Sequence, residues 1–196
     1  SPLAGLLLGG TLMLILRAVL FRAPVLRTEK LFRWFQLASS GAISLAHGGN
    51  DAQKTMGVVA GLLVATGHLT KTGSSLPVPD WVALGCYLFI ALGTLSGGWR
   101  IVRTMGSGIT RLRPVSGFCA ETGAAIALFG STALGAPVST THTVAGSVAG
   151  VGTTNRNSTV NWAVFRKMAV AWVVTMPAAA TVAALVYGLT QLPNIA

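Results

Sequence analysis

The chain has 196 residues, 52% hydrophobic and only 9% charged, with a mean hydropathy of +0.68; soluble domains are about a quarter charged, so a soluble globule is excluded. The 24 glycines follow no G-X-Y period and the apolar content is too high for a disordered chain, which excludes collagen-like and low-complexity proteins. Fourteen Lys and Arg against four Asp and Glu give a net charge of +10, but they cluster between apolar runs with no interleaved base-stacking aromatics, so nucleic acid is not the expected partner.

A polytopic, all-α membrane protein forming a single transmembrane domain over 1–196 is the expectation. A bilayer core of roughly 30 Å takes about 20 apolar helical residues. Residues 3–20 form the first such span; the chain starts at Ser1 without a basic n-region, so this stretch reads as a spanning helix and not as a cleaved signal. Arg17, Arg22, Arg27, Lys30 and Arg33 follow, a cluster that marks a cytoplasmic loop. Residues 34–67 would reach about 50 Å as one helix, too long for a straight crossing. They contain His47-Gly48-Gly49-Asn50-Asp51, so a helix broken at 47–51 is expected.

A polar, Pro-rich loop at 68–80 leads into residues 81–99, a charge-free span, and then into Arg100, Arg103, Arg111 and Arg113. Residues 116–151 hold two short apolar pieces, 118–130 and 139–151, separated by Gly135-Ala136-Pro137. Thirteen residues reach roughly 20 Å, so neither piece crosses alone. The third basic group, Arg156, Arg166 and Lys167, shares the cytoplasmic face with the second only if 116–151 is a re-entrant hairpin. Residues 165–188 form the last span. Trp34, Trp81, Trp99 and Trp162 sit at span ends, where indoles favour the headgroup boundary. Asn157-Ser158-Thr159 is a glycosylation sequon placed on a face where it goes unused. Cys86 and Cys119 lie in apolar surroundings and read as small buried hydrophobes.

Ionisable groups at membrane depth are costly and mark function when they cluster. His47, Asp51, Lys54, Glu121 and His142 qualify. In AHGGNDAQKT, Asp51 offers cation-binding oxygens, Asn50 offers an acceptor and donors, and Lys54, three residues on, shares the face of Asp51 and can neutralise it. A structural Asp51–Lys54 ion pair is the alternative. Gln53 precedes Lys54-Thr55 where a P-loop requires glycine. In GAPVSTTHT, Ser139, Thr140 and Thr141 after Pro137 start a half-helix, whose free N–H groups and partial positive charge make an anion site. Plain N-capping is the alternative there. Glu121 and Thr122 on the other arm are candidates to hold a cation beside that anion, or to close the hairpin by a hydrogen bond. Ser139, His142 and Asp51 lack nucleophile-elbow context, so no catalytic site is expected; three scattered histidines do not make a zinc site, and neither metal centre nor cofactor is expected.

SLAHGGNDAQKTMG (44–57), GFCAETGAA (117–125) and GAPVSTTHTVAGSVAGVG (135–152) resemble the inorganic phosphate transporter (PiT) family of secondary transporters. The resemblance implies two inverted halves, each with an Asn-Asp motif at a helix break and a hairpin bearing a Ser-Thr-Thr run, with phosphate and coupling cations between them. Phosphate binding then falls to Asn50, Asp51, Ser139, Thr140 and Thr141, and a coupling cation, Na+ or H+, to Asp51, Asn50 and Glu121. The AHGGNDAQK form resembles the C-terminal half, so one half of an inverted-repeat transporter in a bacterial plasma membrane is expected, with the missing half supplied upstream, by a second chain or by an antiparallel copy. Truncation of a longer transporter is the favoured reading. A sulfate or other oxyanion permease of the same fold, or a non-transporting membrane scaffold, is the alternative.

Overall fold

A computed structural model describes residues 1–70, 76–154 and 160–191; the 157–159 sequon and Arg156 lie outside the described residues. The described residues are helical, in the order α1 Pro2–Val19, α2 Val25–Ala65, α3 Asp80–Arg103, a π-helical turn Thr104–Gly108, α4 Pro114–Ala133, α5 Thr140–Thr153 and α6 Trp162–Gln191. Three of them, α1, α3 and α6, are long and apolar enough to cross a bilayer. The chain divides into two compact units, 1–160 and 161–196, where a single domain was expected; the second holds α6 alone. Within α6, Trp162, Phe165 and Trp172 stack edge to face, and Pro177 sits inside the helix, where it removes one backbone hydrogen bond.

The centre of the first unit is α5, whose residues from Ala145 to Gly152 are all buried. Small residues let it approach α1 at backbone distance. Gly5 and Gly9 on α1 face Thr143 and Ser147, and Gly146 and Gly150 on α5 face the carbonyls of Pro2 and Leu6. Each pair is spaced by four, the pattern that brings membrane helices into van der Waals contact where lipid supplies no hydrophobic drive. Gly123 of α4 presses on the backbone of Leu8 and Gly9, and Ser147 Oγ donates to the Ala120 carbonyl at 2.7 Å, a bond buried between α5 and α4. At the far end of α1 the Arg17 guanidinium donates to the Thr154 carbonyl, so α1 and α5 run parallel.

The hairpin is present but unequal. α5 has 14 residues, close to the expected 13, whereas α4 has 20 and reaches about 30 Å. α4 starts early because Pro114 occupies its first turn and the Ser116 hydroxyl accepts from the Arg113 N–H at 2.7 Å and donates to the Arg113 carbonyl at 2.9 Å, and proline's fixed φ suits that position. It ends late because Ser131 and Thr132 fold their hydroxyls back onto the Ala127 and Leu128 carbonyls. Gly135, at φ +67°, then turns the chain in a conformation that side chains disfavour.

The break expected at 47–51 is absent. α2 is continuous for 41 residues, about 60 Å, with no positive φ at Gly48 or Gly49. Glycine permits a break without requiring one, and costs only about 1 kcal/mol in a helix. The Asp51 carboxylate of this stretch is instead met by Lys54, Thr140 and His47. The first half of α2 packs along α4 through Phe32, Phe35 and Phe118; its second half packs on α3 through Ala52, Met56, Val82 and Cys86. Both cysteines are buried and unpaired.

Candidate functional site

The continuity of α2 decides where its polar residues meet the hairpin. Its N-terminal half runs parallel to α4, so Ser39 arrives opposite Glu121 and Lys54 opposite the hairpin turn. At the turn, Asp51 is held on both carboxylate oxygens. Oδ1 accepts from Lys54 Nζ at 3.0 Å, Oδ2 accepts from Thr140 Oγ1 at 3.1 Å, and His47 Nδ1 lies 3.5 Å from Oδ2. Lys54 Nζ also donates to the Val138 carbonyl at 2.8 Å, so its ammonium ties helix to turn.

Thr140 is buried and is the first residue of α5. Ser139 is the N-cap and accepts from the His142 N–H at 3.4 Å, while its own N–H donates to Ser1 Oγ at 3.3 Å. Thr141 is exposed. The first N–H groups of a helix have no partner within it, so the positive end of α5 is presented beside the Asn50-Asp51 pair. Asn50 is 7% exposed, yet its Nδ2 has no hydrogen-bond partner among the described residues. It lines a cavity of about 210 Å³ with Gln53, Lys54, Thr132 and the turn residues Gly135, Ala136 and Pro137. A buried amide left unpaired costs about 1–3 kcal/mol, and this nitrogen is shut off from solvent while other atoms of the residue border the cavity.

Of the residues singled out from sequence, Asn50, Asp51, Ser139 and Thr140 therefore come together, with Thr141 one position along the same helix. Glu121 does not join them. Its Oε2 accepts from Ser39 Oγ at 2.5 Å, twelve residues before Asp51 on α2 and so roughly 18 Å away along the axis. It fastens α4 to α2 and does not close the hairpin on itself. Thr122 Oγ1, next to it, is buried without a partner among the described residues. Gln53, Thr132, the Val138 carbonyl and Ser39 were not anticipated. Ser39 was findable, since Phe32, Ser39 and Ala46 are buried on α2 at seven-residue spacing, the signature of a packed stripe.

Another cavity, about 620 Å³, lies at the other end of the unit, between apolar side chains of α1 and the ends of α2 and α4. It is lined by Arg17, Arg111, Arg113, Thr28 and Glu29 among others. Arg17 of the first basic cluster and Arg111 and Arg113 of the second thus lie at one end, opposite the hairpin turn.

A relative in Rhizobium meliloti (strain 1021), described as a probable low-affinity inorganic phosphate transporter, is 53% identical over 187 residues, covering 95% of this chain and 55% of its own. A protein of the same description in Bacillus subtilis (strain 168) is 39% identical over 188 residues, covering 95% of this chain and 55% of its own. A solved structure described as "The sodium-dependent phosphate transporter" matches with a TM-score of 0.73 and 25% identity over 97% of this chain and 56% of that one. This chain spans about half the length of the curated relatives it matches. The activity named for these relatives is transport, not catalysis. A family model described as the phosphate transporter family matches residues 1–183, and the chain, a multi-pass membrane protein, belongs to that family.

Proposed function

We propose that this chain forms one half of an inorganic phosphate transporter that moves phosphate by cation-coupled symport. The observation that carries the reading is the meeting of the Asn50-Asp51 pair with the start of α5, where Thr140 Oγ1 donates to Asp51 Oδ2 at 3.1 Å beside a cavity at the hairpin turn. Phosphate has several acceptor oxygens and carries negative charge. At the start of α5 the N–H groups of Thr140 and Thr141 and the hydroxyls of Ser139 and Thr141 are donors that add no net charge, while the Thr140 hydroxyl is already given to Asp51, so the anion is bound and also released. Discontinuous helices of this kind recur at transporter midplane sites. The names of the relatives support phosphate as the solute, and the name of the solved structure supports sodium as a coupling ion.

The carboxylates of Asp51 and Glu121, with the Asn50 side-chain oxygen, are the groups proposed to receive a coupling ion, Na+ or H+. Opposite charges about 4 Å apart attract by about 4 kcal/mol at an effective dielectric near 20, enough to link two binding events; such coupling is reciprocal. The intact protein, with its other half, in liposomes under separately imposed sodium and pH gradients, should accumulate labelled phosphate against one of them. Sulfate should compete weakly. Asp51→Asn is expected to abolish uptake while leaving membrane insertion intact. Normal uptake by that variant removes Asp51 from the mechanism, and equal competition by sulfate overturns the phosphate assignment.

A further inference from the structure

Lys54 was expected at most to neutralise Asp51. Its ammonium does more than that. It sits between a carboxylate oxygen of α2, Asp51 Oδ1 at 3.0 Å, and a main-chain carbonyl of the hairpin turn, Val138 O at 2.8 Å. A carboxylate and a turn carbonyl are hard oxygen donors of the kind that bind simple metal cations. The carboxylate is oriented for this by two further groups on its other oxygen, Thr140 Oγ1 at 3.1 Å and His47 Nδ1 at 3.5 Å. The unbroken helix fixes the arrangement, because residues three apart in a regular α-helix share a face.

We propose that Lys54 is a tethered cation: its ammonium fills, between Asp51 and Val138, the position that a mobile sodium ion would otherwise occupy in this half. The positive charge beside the anion cavity is then covalently attached and present at any sodium concentration. Lys54 also lines the cavity with Asn50 and Gln53, so the pair presents phosphate with a neutralised wall in place of a bare carboxylate. The inference rests on the phosphate-transport reading for its purpose and narrows its cation step. A mobile ion acting within this half is left with Glu121 and Ser39, near the base of the hairpin.

The test uses the intact protein. In detergent, without phosphate, thermal unfolding is compared in choline and in sodium at equal ionic strength. Lys54→Ala vacates the position, so sodium should raise its Tm by a few degrees beyond any rise in the unaltered protein, by mass action on a newly opened site. Lys54→Arg keeps the charge and should gain no such response. In liposomes, phosphate uptake by Lys54→Ala should fall at least about ten-fold in choline and recover in sodium. If Lys54→Ala does not fold, Lys54→Gln is measured in the same way. A variant lacking the charge whose Tm responds to sodium no more than the unaltered protein overturns the proposal. The unfolding measurement contains no phosphate, so it stands even if the unaltered protein proves to carry a different anion.

Discussion

At the scale of single residues, Asn50 keeps a buried amide nitrogen with no hydrogen-bond partner among the described residues, in the group proposed to bind phosphate. The fold would be at least as stable without that amide, since an orphaned donor in a buried position costs about 1–3 kcal/mol. Asn50→Ala should therefore leave the unfolding temperature of the intact protein unchanged or slightly raised, while phosphate uptake drops by about ten-fold or more. A variant that loses stability and uptake in parallel would make Asn50 a packing residue instead. Asn50, Asp51 and Thr140 were legible in the sequence because polar groups within an apolar run have few inexpensive explanations. The partner of Glu121 was not, because nothing local to GFCAETGAA says which helix will lie alongside it.

At the scale of elements, lengths and apolar runs gave α1, α3 and α6 to within a few residues, and Gly135-Ala136-Pro137 located the hairpin turn. α2 departs from expectation because two adjacent glycines and three polar residues, His47, Asn50 and Asp51, look like an interruption, whereas tertiary partners allow the helix to continue. The two views differ in outcome. A methyl group added at Gly48 or Gly49 would meet nothing within 4 Å, and in a continuous helix alanine is preferred by about 0.5–1 kcal/mol. Gly48→Ala should thus fold and insert normally, with an unchanged or higher Tm. Gly150→Ala should behave in the opposite way. Its methyl would fall on the Leu6 carbonyl, forcing α1 away from α5, and the expected loss exceeds about 2 kcal/mol, visible as a lower Tm in detergent. A destabilised Gly48→Ala with a tolerated Gly150→Ala would reverse both assignments.

At the scale of the whole molecule, the two ends of the hairpin belong on one side of the bilayer. Arg17 reaches Thr154, and Arg111 and Arg113 line the same cavity as Arg17. Single cysteines placed at Leu112 and Thr154 in a cysteine-free background should both react with a membrane-impermeant maleimide from the cytoplasmic side only. Labelling from opposite sides would mean that one arm of the hairpin crosses and the other does not. Composition alone settled the membrane class, and Arg17, Arg111 and Arg113 of the first two basic clusters do lie at one end. Which surface meets the other half was illegible, because the sequence of one half holds no record of the faces of its partner.

The two polar fastenings on α2 have a mechanical consequence. Ser39 grips Glu121 near the root of the hairpin and Lys54 grips Val138 at its tip, so the long helix is pinned to the re-entrant arm at two points. A rod bolted twice to a plate cannot hinge against it. A movement that keeps both contacts must therefore carry this slab as a single block, with any sliding joint at its outer boundary.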